Sequence, residues 1–401
     1  MNRSRLNIFV LHPSDLLTDC LPHGDGLLAN LYVRKLAARG HSLHIAATNV
    51  QTDGAFPANV TIHRIEVPEP CTKLTSRLRY TWRVRALYSR LSSEIQFDLI
   101  HQLNPVVTGL MLSMVGVKKP IVMGPYVPDW PLVRRGNKLQ KPTALQQLAR
   151  ITKRGIWFQQ HRMARGIILS STAAIEKVPN RTRFEKKLRI IPYGIDIDSF
   201  HPAKLPAGKT ILFLSKVSHH KGIMVLLDAF RMVHEALPDA SLIVAGQGPE
   251  MELAGAAAAT IGDGTAVRFV GRVERKSVPA YMQNCTVFCL PSFGEAFGMS
   301  ALEAMACGRS VVVTDDGGLR YIVTDEGGRR VPVGDPDKLA KALIEILKDP
   351  TLSQNMGDFN RRQAELQYAW DKVIDRIEAL YYDVMEGRPA SQPAPYGSCA
   401  N

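Results

Sequence analysis

Two glutamates, Glu295 and Glu303, lie within residues 291–308 (PSFGEAFGMSALEAMACG). The first falls in a glycine-containing loop after an apolar run, and the second about one turn into the helix that the next residues predict. Carboxylates so placed accept hydrogen bonds from sugar hydroxyls. A glycine-flanked helix start offers backbone N–H groups and a positive dipole end to an anion. Residues 214–222 (LSKVSHHKG) put Lys216 and Lys221 on either side of a strand-to-helix loop. Two ammonium groups beside a helix start match the charge of a diphosphate. Each element also has a plainer reading, since glutamates are common at solvated helix starts. The adjacent His219 and His220 lack the cysteine or acidic partners that complete most metal sites.

Such residues need strand ends to hold them. Short apolar, β-branched runs predict strands over residues 6–11, 43–47, 98–101, 120–123 and 166–170. A second series predicts strands over 210–215, 241–245, 267–270, 286–290 and 310–314. Helical spacing over 27–38, closed by Gly40, and over 224–235 places helices between them. Alternation of this kind predicts an α/β protein with buried parallel sheets. The charge cluster near 181–189 separates the two series, so two Rossmann-like halves meet between 180 and 205.

Composition limits the class further. A chain of 401 residues is long enough for two domains, and 45% hydrophobic with 22% charged residues is a globular balance. The longest mostly apolar stretch, 106–117, is far short of a spanning helix. Such a helix needs about 20 residues. His12 and Pro13 interrupt the first apolar run before it becomes a secretory signal. Six cysteines make no disulfide framework. These features predict a cytoplasmic protein. The net charge of +13 is local: residues 71–165 hold 17 Lys or Arg against Glu94, Asp98 and Asp129. A basic face calls for an anionic partner. No nucleic-acid-binding module is present, which leaves an anionic membrane surface, the inner face of the plasma membrane for a cytoplasmic protein, or an anionic substrate. Arg77, Arg79, Arg83, Arg85 and Arg90 are interleaved with Leu74, Leu78, Trp82, Leu87, Leu91 and Ile95 at near-helical spacing. That pattern fits a helix lying on a membrane, and equally one whose apolar stripe packs on its own domain.

Six segments occur in one order: 191–200 (IPYGIDIDSF), the Lys216–Lys221 loop, 244–250 (VAGQGPE), 269–273 (FVGRV), 291–308 and 314–318 (TDDGG). As a set they resemble the nucleotide-sugar half of retaining GT-B glycosyltransferases of glycosyltransferase family four. The N-terminal half is similar through a glycine-containing first loop, Arg39-Gly40-His41 and residues 98–101 (DLIH). The resemblance implies two Rossmann-like domains facing across a cleft. They would be an acceptor-side domain over 1–185 and a donor domain over 186–365. A helix over 366–386, marked by Trp370, would cross back onto the first domain. The composition of 387–401, rich in Pro, Ser, Ala and Gly, predicts a disordered tail.

The resemblance also implies roles. Glu303 would bind ribose hydroxyls and Glu295 would face the donor hexose. Backbone around Phe297, Gly298 and Met299 would hold sugar and phosphate. Lys216 and Lys221 would clamp the diphosphate, Arg272 and Val273 would line the base pocket, and Gly24 and Gly26 would let backbone approach phosphate or acceptor. The chain departs from the family where Lys216 replaces the usual Arg, losing the bidentate fork. Its first loop reads Gly24-Asp25-Gly26. Gly124-Pro125 stands where many members carry a sugar-contacting His, leaving His101 as the candidate substitute, and Tyr321 stands where many carry Glu.

The implied activity is retaining hexosyl transfer from a nucleotide diphosphate sugar, a UDP-sugar by family frequency, to a glycan, lipid-linked or small-molecule acceptor. No cofactor or metal is expected. Asp196 and Asp198 match a metal-binding DxD pattern, but a turn role fits their place, and Cys285 and Cys289 flank a strand as core residues. Two other readings stand beside this one. A sugar-nucleotide epimerase of the same fold would form product from donor alone. A non-catalytic nucleotide-sugar-binding protein at the membrane would bind without turnover.

Overall fold

The computed structural model describes residues 5–12, 16–21, 24–67, 73–103, 109–126 and 144–388. They divide into two compact units, the first running to Tyr193 and resuming at Val373, the second spanning Gly194–Lys372. The first unit contains strands β1 (Asn7–His12), β2 (Ser42–Ala47), β3 (Val60–Arg64), β4 (Leu99–Gln102), β5 (Ile121–Tyr126), β6 (Gly166–Leu169) and β7 (Leu188–Ile190). They form one parallel sheet in the order β3-β2-β1-β4-β5-β6-β7. Helices α1 (Gly24–Ala38), α2 (Leu74–Leu91) and α3 (Ala144–Met163) connect its strands. Central strands β4, β5 and β6 are buried throughout, as their continuous apolar runs require.

The second unit holds β8 (Lys209–Leu214), β9 (Ala240–Ala245), β10 (Val267–Gly271), β11 (Val287–Leu290), β12 (Ser310–Thr314) and β13 (Gly328–Val331). Their order is β10-β9-β8-β11-β12-β13, again all parallel. Helix α4 (Ile223–Ala236) comes after β8, and helix α5 (Met299–Ala306) after β11. Leu226, Leu227, Phe230 and Val233 recur at helical spacing on α4 and are fully buried.

The last helix, α6 (Trp370–Glu386), starts in the second unit and joins the first from Val373 onward. Three contacts fix it there. Arg39 pairs with Asp375 at 3.0 Å, His41 Nε2 lies 3.0 Å from the Glu378 carboxylate, and the Tyr381 hydroxyl meets His101 Nδ1 at 2.6 Å. The Arg39-Gly40-His41 segment thus anchors a helix. The first unit extends to Tyr193 where the sequence places its end at 185, because β7 pairs with β6 as the last strand of its sheet. Most of the tail expected to be disordered, 389–401, lies outside the described residues.

His101 requires a correction. It is 1% exposed, and its Nε2 bonds the Gly124 carbonyl oxygen at 2.7 Å while Nδ1 meets Tyr381. With both ring nitrogens engaged inside the first unit, it has none left for a sugar hydroxyl. Burial pushes its pKa down to about 4, so the folded protein holds it neutral where an unfolded chain would charge it. Its contribution to stability is therefore complete above about pH 6.5 and is lost as pH falls toward 4. Urea titrations between pH 6.5 and 4 should show a slope shallower by about 1.4 kcal/mol per pH unit in His101→Asn than in the wild type. Equal slopes would mean that the ring charges without unfolding.

Candidate functional site

Strand β8 is the point where the strand order of the second sheet reverses, the chain adding β9 on one side of it and then β11 on the other. Chain segments leaving β8 and β11 diverge there, which opens a crevice outside their carboxyl ends. Lys216 and Lys221 follow β8, and Glu295 and α5 follow β11. The two loops are joined directly. Phe293 N–H donates to the His220 carbonyl at 2.8 Å, and the His219 ring stacks on Phe293 at 4.8 Å. His219 thus supports the loop through its ring. Gly222 closes the first loop at φ +73°. A Cβ there would fall 1.9 Å from the Pro291 carbonyl oxygen, so only glycine permits this approach.

Within this frame Lys221 and Glu295 form a half-buried ion pair. Glu295 is held through its backbone as well, since its carbonyl accepts the Gly318 N–H at 2.6 Å. Lys216 is exposed at the mouth of the same loop. Gly298, at φ +100°, turns the chain into α5. The first N–H groups of that helix have no acceptor within it. Phe297 is buried and meets Tyr368 edge-on at 6.2 Å, so it serves as packing and contributes only backbone to a ligand. Met299 is half-buried at the helix start.

Glu303 is 4% exposed and pairs with Arg275. Burial raises its pKa, and the Arg275 guanidinium works against that rise. Arg275 also lies 4.9 Å from the Phe200 ring. It follows Arg272, which is exposed, and Val273, which is half-buried, on the loop after β10. The Arg275–Glu303 pair therefore brings that loop to α5. Sequence reasoning missed Arg275, since nothing in residues 272–277 (RVERKS) distinguishes it from its basic neighbours before the chain folds.

Lys216, Lys221, Glu295, Glu303 and the start of α5 thus follow the adjacent strands β8 and β11, and Arg275 ties the loop after β10, which carries Arg272 and Val273, to Glu303. Gly24 and Gly26 belong to the first unit. They are the first and third residues of α1, one exposed and one buried, where the sequence places them before that helix. Asp196 caps its own turn, accepting from Asp198 N–H at 3.2 Å and the Ser199 hydroxyl at 2.8 Å. Cys285 and Cys289 are buried, and burial raises both thiols.

Two family models divide the chain between them. Glycosyltransferase Family 4 matches residues 29–199 and Glycosyl transferases group 1 matches 195–363. The chain is 28% identical over 360 residues to a phosphatidyl-myo-inositol mannosyltransferase of Mycobacterium leprae, covering 87% of this chain and 90% of that protein. It is 30% identical over 331 residues to the protein of that name from Mycolicibacterium smegmatis, covering 79% of each. Among solved structures it resembles a sucrose-phosphate synthase from Thermosynechococcus elongatus, with a TM-score of 0.72 at 20% identity over 95% of this chain and 100% of that one.

Proposed function

Because the chain belongs to glycosyltransferase family 4, with its GT-B fold of two parallel α/β units, we propose that this glycosyltransferase moves a mannosyl group, with retention, from GDP-mannose to a lipid-linked acceptor. The observation that carries the site reading is the pairing of Lys221 with Glu295, across the ends of β8 and β11, and of Arg275, on the loop after β10, with Glu303 on α5. Relatives named as phosphatidyl-myo-inositol mannosyltransferases, and a GDP-mannose-dependent mannosyltransferase of Corynebacterium glutamicum 30% identical over 207 residues, favour this donor over the UDP-sugar expected from the sequence.

In this reading the diphosphate shares the Lys221 ammonium with Glu295, and Lys216 closes on it from solvent. Glu303, oriented by Arg275, accepts the ribose hydroxyls. Departure of the nucleotide builds charge on its β-phosphate, and Lys221 with the α5 amides stabilises it. Glu295, held beside that charge, takes hydrogen bonds from the sugar hydroxyls. Retention follows if the leaving phosphate itself receives the acceptor proton on the face it vacates. Asp196 is committed to its turn, which favours transfer without a DxD metal.

No described helix is long and apolar enough to cross a membrane. The basic α2, with Leu78 63% and Trp82 73% exposed, favours peripheral docking on an anionic surface. The reading that its whole apolar stripe packs inward holds only for residues such as Leu87.

Thermal shift with GDP-mannose, UDP-glucose and ADP-glucose, followed by product analysis on a lipid extract, tests the proposal. GDP-mannose should raise the melting temperature most and yield an α-mannosylated lipid, with activity retained in EDTA. Selective stabilisation by UDP-glucose, or loss of activity in EDTA, would overturn the corresponding part. Product from donor alone would favour the epimerase instead.

A further inference from the structure

Helix α5 carries Glu303 and ends at Ala306. The last carbonyls of a helix have no N–H partner inside it. Those of Glu303, Ala304 and Met305 accept from the backbone N–H groups of Cys307, Arg309 and Gly308. The Ala306 carbonyl accepts from Arg361 Nη1 at 2.9 Å, which places a cation at the negative end of the helix. The same nitrogen lies 2.7 Å from the Phe200 carbonyl and 3.1 Å from that of Ile197. Both carbonyls belong to the turn that Asp196 caps, and the Phe200 N–H closes that turn on the Asp196 carbonyl at 2.9 Å. Arg361 sits on the helix Pro350–Gln363. That helix meets the end of α5 closely: a Cβ on Gly357 would fall 2.2 Å from the Gly308 carbonyl oxygen.

Phe200 is buried, and its ring faces the Arg275 guanidinium that pairs with Glu303. The contacts close a circuit. It leaves α5 at Glu303, passes through Arg275, Phe200 and Arg361, and returns to α5 at Ala306. Arg275 is itself exposed, and an exposed ion pair holds a long side chain weakly because fixing it costs entropy. The Phe200 ring gives that guanidinium a fixed face. We propose that Arg361 is a positioning residue for donor binding: it fixes Phe200 and the end of α5, and through them sets the Glu303 carboxylate toward the ribose. The inference rests on the assignment of Glu303 to the ribose hydroxyls. Those hydroxyls are common to GDP and UDP, so it does not depend on the base.

A double-mutant cycle tests it on the full chain, read by calorimetry with GDP and with UDP and by steady-state kinetics. Arg361→Lys keeps the charge but loses the planar fork. It should raise the nucleotide Kd and the donor KM together by about five- to twentyfold, with kcat changed by about twofold at most. In a Glu303→Gln background the same substitution should add less than about twofold. Phe200→Leu leaves the backbone carbonyls to Arg361 and removes the ring. It should give the same loss and the same non-additivity with Glu303→Gln, so the circuit is testable even if Arg361→Lys does not fold. Glu365→Gln removes the carboxylate 2.5 Å from Arg361 Nε and should bind nucleotide as the wild type does. A lower melting temperature with unchanged Kd would make Arg361 a purely structural residue, and additive losses would route its effect past Glu303. Either result overturns the proposal. Wild-type affinity in Glu303→Gln would overturn the reading of Glu303 and this inference with it. Loss of affinity there, with none in Arg361→Lys or Phe200→Leu, would overturn this inference alone.

Discussion

Replacing Lys221 by Ala is expected to lower kcat by about 10²–10³-fold, the usual cost of losing one charge aimed at a leaving group. The ammonium is held by Glu295, and the loop that carries it lies close against Pro291 at Gly222, so its position is set before any donor binds. That preorganisation makes the contact worth more to the developing β-phosphate charge than to the ground state. Both partners are half-buried at the surface of the unit, so removing the lysine should cost little stability. An unchanged circular dichroism spectrum and melting temperature alongside the loss of turnover would confirm this division. A variant that transfers sugar at near the wild-type rate would show that Lys221 does not touch the diphosphate. Lys221→Arg should recover part of the rate if charge is what matters.

The second large effect belongs to Glu303→Gln, which should weaken donor binding by about 10- to 150-fold while changing kcat much less. Hydrogen bonds to a charged acceptor contribute about 1.5–3 kcal/mol each, and ribose hydroxyls lie away from the bond that breaks. Isothermal titration with GDP and steady-state KM values should shift together. Burial raises the Glu303 carboxyl, so its ionised form is lost earlier than usual as pH falls. Donor affinity of the wild type should therefore decline on the acid side, and Glu303→Gln should remove that decline. A variant with wild-type KM and a reduced kcat would move Glu303 from the nucleotide to the reacting sugar.

How much of this was legible beforehand varied with burial. The ten strands expected from apolar runs all formed. In the two large sheets the three missed were β3, β7 and β13, each at an edge. An edge strand faces solvent along one side and need not be apolar. Arg64, Arg189, Arg329 and Arg330 within these strands hid them from a search for continuous hydrophobic runs. On α2 the spacing was helical as expected, yet Tyr80, Val84, Leu87 and Tyr88 face the core while Leu78 and Trp82 face outward. An apolar residue at helical spacing does not state which side its domain will cover.

The sequence by itself determined the two parallel α/β units, the lysine loop after β8 and the glutamate loop after β11. Those depend on local period, on glycine positions and on residue chemistry, which are readable in order along the chain. Tertiary structure alone decided that Arg275 reaches Glu303 across 28 residues. It also decided that His101 spends both nitrogens on Gly124 and Tyr381, and that Arg39 and His41 serve the last helix. These are pairings between distant segments. Which buried polar group satisfies which partner is set by packing, and no single stretch of sequence contains both halves of the pair.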